Sequence, residues 1–356
     1  MGLLELVFIA SVVVRPSVGL TRKTFELLGP QYPSHIEARR KMSFEIDLDE
    51  PCEFEVLAPR THPWARLDPS EFNQVLLPWV RLAAGLRGLH TAYHNEYDGN
   101  DTPGSPFDIL RELAAREEGP AGPWDAELAV EPTRQSPDIL SAIAVNQIAG
   151  MAGLVWSGEF LFTLPLLARA SIEASSTLAW FVSTELGLDP RRTCARGWIE
   201  RDHDLTRAIA ASSDKEARGQ LKSNRKQLQT EIRRLFSEDE VVVEQGGVVL
   251  LAGEPYPTLI DRVEQIQRIW HHGKAWRRTY DQLSQWVHPN TASARMFTEA
   301  GRYSVPPVAI ATLFRVAIQP YLFALEHKVR FFDYCDDGVV TAHRALDQLV
   351  AESPPL

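Results

Sequence analysis

A chain of 356 residues, 44% hydrophobic and 24% charged, is long enough to bury a large core and has the balance of an ordinary globular protein. Its formal net charge of −10 argues against a broad nucleic-acid-binding surface, which needs a basic footprint, and leaves room for a local basic groove. Three widely spaced cysteines, Cys52, Cys194 and Cys335, with no C-x-x-C pair, exclude a disulfide framework and a cysteine zinc site, and point to a reducing, cytoplasmic setting.

The N-terminal run Leu3 to Val14 is apolar, but Glu5 interrupts it and no basic segment precedes it. It is too short to span a bilayer and makes a poor signal peptide. Residues 1–41 therefore read as a poorly defined extension, with Met42 as an alternative start. From Ser43 to Leu57, Phe44, Ile46 and Leu48 alternate with charged residues, which predicts a short strand with one wet face. Asp68-Pro-Ser-Glu71 carries an N-cap acid, a proline at the first helical position and a glutamate at the third, and opens a helix to about Glu96, bent at Pro78. His90 and His94 are one turn apart and could grip a metal, but no third ligand is identifiable, so a surface pair is the simpler reading. Asp98 to Gly104 is a loop, Ser105-Pro-Phe-Asp108 starts a short helix, and the Pro/Gly/acidic stretch Glu117 to Pro137 is a connection. That connection divides the chain into a strand-and-helix subdomain over 42–135 and a helical core domain over 136–356.

Beyond Pro137 the chain turns strongly apolar. Ile139 to Trp156 carries no charge, and Phe160 to Val182 carries only Arg169 and Glu173. A membrane-spanning reading competes with buried core helices; Asn146, Gln147 and the lack of Lys/Arg anchors favour the core. Arg169 and Glu173 sit four apart amid apolar neighbours, with Ser176 and Trp180 on the same face, and need hydrogen-bonding partners if both helix faces are covered. Asp189-Pro190 caps a long helix reaching Phe236 with a break at Ser212 to Asp214, and its second half, Lys215 to Arg234, is dense in mixed charge, the pattern of a solvated face. Val241 to Leu251 reads as a hairpin turning at Gly246-Gly247. Helices follow over Pro257 to Ile269, Pro306 to Phe332 and Val339 to Glu352, with Trp270-His-His-Gly273 as a turn whose histidines face apart. The fold class is mostly α: a multi-helix bundle with a small β-hairpin near 241–251 and a short N-terminal β segment.

The most suggestive stretch is Lys274 to Asn290, one helix ended by Pro289. Tyr280, Ser284 and His288 recur every four residues and drift only about 40° per step, forming a polar stripe beside the apolar Trp276, Leu283 and Val287. This stripe is the natural partner of Arg169 and Glu173. His288 has the one intrinsic pKa near neutrality and suits a general acid or base; Arg169 suits bidentate capture of a phosphate; Tyr280 and Ser284 can donate to substrate oxygens; Glu173 can orient Arg169 or His288. Arg277 and Asp281 could extend the site. The competing reading is a satisfied interior network. A serine hydrolase is excluded, because Ser284 and His288 lie on one helix without a G-x-S-x-G elbow. No metal or other cofactor is called for.

Arg169-x-x-x-Glu173 followed by Tyr280-x-x-x-Ser284-x-x-x-His288-Pro289 resembles a HEPN-like family of all-helical bacterial proteins, over roughly residues 137–335. The resemblance implies either metal-independent RNA cleavage, in which a 2′-hydroxyl attacks the adjacent phosphate, or a non-catalytic interaction module. RNA-cutting relatives use an Arg and a His separated by four to six residues. Here nine residues separate Arg278 from His288, while Arg196/His203 and Arg87/His94 fit the spacing without the usual polar residue after the arginine. The implied partner is RNA or another phosphate-containing ligand. Apolar helix surfaces are compatible with a homodimer, although no heptad repeat specifies one, and membrane association is the third reading.

Overall fold

The computed structural model describes residues 44–57, 72–97, 102–157, 163–183, 188–244, 247–269, 280–281, 283–284, 298–299, 302–303 and 307–352. The fold is mostly α, as composition and periodicity predict. In chain order the helices are α1 (Glu53–Leu57), α2 (Leu77–Tyr97), α3 (Pro106–Ala114), α4 (Ala126–Ser157), α5 (Leu164–Val182), α6 (Pro190–Ala211), α7 (Lys215–Leu235), α8 (Leu259–Ile269), α9 (Pro307–Phe332) and α10 (Asp337–Glu352). Among the described residues the strands are short antiparallel pairs: β1 (Glu118–Gly119) with β2 (Gly122–Pro123), β3 (Val241–Glu244) with β4 (Gly247–Leu251) and β5 (Glu254–Pro255), and β6 (Thr298–Glu299) with β7 (Arg302–Tyr303).

Helix α5 is the centre of the bundle. It packs along α4 and α9 and also meets α8. From Ser171 to Val182 nearly every residue except Glu173 is buried. Helix α2 closes α4 from the other side, and α10 lies against α2 and α9. Leu86, Leu89, Phe107, Ile148, Leu178, Phe181, Phe314 and Tyr321 belong to one continuous core. Burying an aliphatic or aromatic side chain of this kind contributes about 1.5–3 kcal/mol each, which makes this core the main source of stability. The ends are set by local chemistry: Ser105 accepts from the Asp108 N–H at 3.0 Å, Asp189 from Arg192 at 3.2 Å and Asp214 from Ala217 at 2.7 Å.

Three expectations are corrected. The strand over Ser43 to Leu57 is absent among its described residues: 44–50 form no ladder, and Glu53–Leu57 is helical. The alternation itself is real, since Phe44, Ile46 and Leu48 are partly buried and Glu45, Asp47 and Asp49 less so. The partner is a helix, not a strand. A Cβ at Gly85 of α2 would stand 2.9 Å from Ile46, so two small residues, Gly85 and Gly88, open a notch that receives Ile46 and Phe44. The connection over Glu117 to Pro137 is instead the β1–β2 turn followed by the start of α4, which runs unbroken for 32 residues through Pro132 and Pro137 and across position 135/136. Pro132 is buried against Gly197 of α6, so the packing of α4 on α6 offsets the missing N–H. Third, Gly247 belongs to β4 and pairs with Glu244. A Cβ there would lie 3.0 Å from the His203 ring, so this glycine allows the sheet to close on α6.

Just ahead of Pro78, where a bend is expected, the backbone forms a π turn over Phe72–Leu76; the absent N–H of the proline cannot serve the Gln74 carbonyl. The helix start at Asp68 to Glu71 lies outside the described residues, as does the extension 1–41. The break between α6 and α7 falls where the sequence places it. Two described helices, α4 and α9, are long and apolar enough to cross a membrane; 44% and 67% of their most apolar stretches are buried in the fold, and both serve as core helices here.

Candidate functional site

Four residues of α5 define the site's spine. Arg169, Glu173, Thr177 and Trp180 fall within about 80° of one another around the helix axis. They look away from the fully apolar face formed by Leu164, Leu178 and Val182. Two polar clusters grow from this spine, one at each end.

At the N-terminal end, Arg169 Nε donates to Glu173 Oε1 at 2.6 Å. The Tyr280 hydroxyl donates to the same oxygen at 2.8 Å. The guanidinium stands 5.5 Å from the centre of the Tyr280 ring, a cation–π distance. The Arg169 and Glu173 side chains keep 23% and 28% of their exposure, so this cluster borders solvent. The Tyr280 hydroxyl also neighbours the Arg169 guanidinium and, after Glu173, helps hold its charge. Burial disfavours the charge on Arg169, but Glu173 more than compensates and raises its pKa. Burial and the neighbouring Glu173 carboxylate push the Tyr280 hydroxyl up to about 12, so at neutral pH it is a donor and not a base. Ser284, one helical turn on, donates to the Tyr280 carbonyl at 2.8 Å.

The structure thus joins Arg169, Glu173 and Tyr280, as the sequence spacing suggests. It ties Ser284 back into its own helix and gives it no bond to Arg169 or Glu173. His288, Arg277, His271 and His272 lie outside the described residues; Asp281 is exposed. The remaining histidine candidates are engaged elsewhere. His90 Nδ1 lies 3.2 Å from Ser141 Oγ, and burial, helped by Lys328, lowers its pKa to about 4. His94 is exposed, and Arg87 pairs with Glu53 at 3.3 Å. No group of three or more potential metal ligands occurs among the described residues.

The second cluster joins segments that no local sequence pattern connects. Thr177 Oγ1 donates to the Glu173 carbonyl at 2.9 Å and accepts from Arg262 Nη1 at 2.8 Å, linking the two ends of the spine. Arg262, only 3% exposed, donates to Glu200 at 2.7 Å. Its guanidinium lies between Trp180 and Tyr256, 4.7 and 4.6 Å from the ring centres. Glu254 of β5 accepts from Arg196 at 3.0 Å, Arg192 at 3.2 Å and the Trp180 indole at 3.3 Å. Arg196 also donates to the carbonyls of Trp180 and Ser183. Beside it, fully buried Asp202 accepts from Arg225, Gln229 and the Val248 N–H, while His203 bonds the Val248 carbonyl at 2.9 Å and stacks on Tyr256 at 3.6 Å. Burial lowers the His203 pKa.

Arg196 and His203, one of the pairs with cleaving spacing, are therefore the bolts that hold the β3–β4–β5 sheet to α6. One signal was present: Arg192, Arg196 and Glu200 form an i, i+4, i+8 stripe on α6. Their partners Glu254 and Arg262 come from distant segments that no local period connects. No family model, no curated protein and no solved structure matches the chain.

Proposed function

We propose that this mostly α-helical protein binds a phosphate-bearing ligand, RNA being the class its site suits, at the Arg169–Glu173–Tyr280 cluster. One observation carries the reading. Arg169 is held by its Nε against Glu173 and braced over the Tyr280 ring, and its side chain still keeps 23% of its exposure. A guanidinium fixed in this way offers a planar fork to two oxygens of a phosphate without first paying to order its own side chain. Tyr280 places a hydroxyl on the same Glu173 oxygen, and Ser284 follows it one helical turn on. On this reading His288, four residues after Ser284 in sequence, is the residue to move a proton if the bound phosphodiester is cleaved, in keeping with the HEPN-like pattern of the stripe.

A second reading has its own support. Ser284 and Tyr280 both spend their donors inside the protein, and Tyr280 is 5% exposed, as in a structural network of a non-catalytic interaction protein. The test compares wild type, Arg169→Ala and His288→Ala with a mixed RNA pool in the absence of metal ions, reading both binding and cleavage. Binding lost in Arg169→Ala at unchanged thermal stability supports ligand capture. Cleavage lost in His288→Ala with binding retained adds catalysis. No binding by wild type sinks the phosphate reading and leaves the network.

A further inference from the structure

Helix α7 departs sharply from the charge of the chain that carries it. Its 21 residues hold seven basic and two acidic side chains, in a protein of net charge −10. The helix is also the most solvated of the fold: only Leu228, Ile232 and Leu235 are buried, all in its second half. Two arginines are spoken for. Arg225 is bound to buried Asp202, and Arg234 pairs with Glu231.

The other five are not scattered. At 100° per residue, Lys215, Arg218, Lys222, Lys226 and Arg233 lie within about 80° of one another, their mean direction about 120° round the helix from that of the buried leucines and isoleucine. All five are exposed. None meets a carboxylate among the described residues; Arg218 donates to the Ser212 carbonyl, a neutral partner. Glu216 and Glu231 fall outside this arc. The result is a straight cationic ridge about 27 Å long.

We infer that this ridge docks a nucleic-acid duplex through its phosphate backbone. Several observations choose this occupant. The charge is complementary to a polyanion, and the ridge is long enough to meet several phosphates at once. No aromatic residue lies on α7 at all, so it has no platform on which the bases of a single strand could stack. It has no exposed leucine, isoleucine or aromatic to insert between lipids, because its apolar face is already packed against the protein. The acidic remainder of the chain does not cancel the ridge at physiological salt, where screening acts over about 8 Å. Such binding is sequence-independent and positions a duplex without reading it. It does not depend on the Arg169 cluster, which lies on a different helix.

The experiment titrates full-length protein with duplex RNA and duplex DNA of about 20 base pairs, and separately with phosphatidylserine-containing vesicles, at several salt concentrations. The companion variant is Lys222→Glu/Lys226→Glu, two exposed positions whose replacement leaves the melting temperature unchanged; Lys222→Gln/Lys226→Gln serves if it does not. The expected result is duplex binding that weakens steeply with salt, falls at least about tenfold in the variant, and loses about two from its logarithmic salt slope. Equal binding by wild type and variant overturns the proposal, as does the absence of duplex binding near 0.1 M salt, where the Debye length is about 10 Å. Vesicle binding without duplex binding overturns it in favour of a lipid surface. Arg169→Ala retains duplex binding if the ridge acts alone, so failure of the site on α5 is distinguishable from failure here.

Discussion

The two clusters along α5 use the same ingredients, arginine, carboxylate and an aromatic ring, and arrive at opposite states. Around Arg262 the charges are buried, each carboxylate is engaged by more than one donor, and two rings clamp one guanidinium. Around Arg169 the pair is a quarter exposed and one carboxylate oxygen takes both donors. The difference lies in what covers them. Strand β5 and the start of α8 close the C-terminal half of the spine, whereas a single described tyrosine roofs the N-terminal half. A buried pair left without partners destabilises the fold, and of the Arg262 nitrogens Nε alone is buried without a hydrogen bond among the described residues, while a bordering pair can leave valences for a ligand.

The contrast between the clusters is largest at Arg262. Arg262→Ala leaves Glu200 buried beside its remaining, largely exposed partner Arg207, removes the donor to Thr177 and empties the slot between Trp180 and Tyr256. The expected cost is about 3–5 kcal/mol of unfolding free energy, measured by chemical denaturation. A loss below about 1 kcal/mol would put Arg262 in the class of surface pairs and erase the contrast.

His90 gives the next effect, through pH. Its folded pKa of about 4 lies below the ordinary 6.5, so between these values the unfolded chain binds a proton that the folded chain refuses. Stability contributed by the neutral ring is complete above about pH 6.5 and is lost as the pH falls towards 4. The groups facing it are Ser141, Lys328, Asp138 and His94. His90→Gln should flatten this acid-side slope by an amount on the order of 2 kcal/mol relative to wild type, read as the difference between two pH–stability curves. Parallel curves would mean that the ring is solvated. Gly247→Ala is expected to cost about 1–2 kcal/mol, because the new methyl meets the His203 ring at 3.0 Å and the sheet must back away from α6; amide exchange of Val248 tests it by speeding up.

Much of this was legible in the chain, and the pattern of failures has a cause. Helices with strong local signals were readable: Ser105-Pro106, Asp189-Pro190 and the break at Ser212 to Asp214 announce their ends by capping chemistry within four residues. Arg169 and Glu173 were readable because two charges stood out on an apolar helix, and the meeting with Tyr280 followed from the need to satisfy them. What failed was whatever depended on the neighbour. Phe44 and Ile46 alternate like a strand but pack into a glycine notch of α2. Pro132 and Pro137 look like a connection but sit inside a helix that α6 supports. Arg262 carries no local mark at all, since its partners Thr177 and Glu200 lie 85 and 62 positions away.

The smallest stability effect sharpens the comparison most. Arg169→Ala removes a partly exposed i, i+4 pair, and such pairs contribute no more than about 1 kcal/mol. Glu173 loses one donor but keeps Tyr280 and remains near solvent, so its charge is not stranded. The variant should therefore melt close to wild type while losing affinity for a phosphate-bearing ligand. Tyr280→Phe separates the two roles further. It deletes the donor to Glu173 and keeps the ring beneath the guanidinium, so stability should fall by about 1 kcal/mol and binding should weaken less than in Arg169→Ala. If Arg169→Ala instead melts as far below wild type as Arg262→Ala does, the open cluster is as structural as the closed one. The Arg169 guanidinium would then serve the fold, because only an arginine whose removal spares the fold has binding energy left to give a ligand.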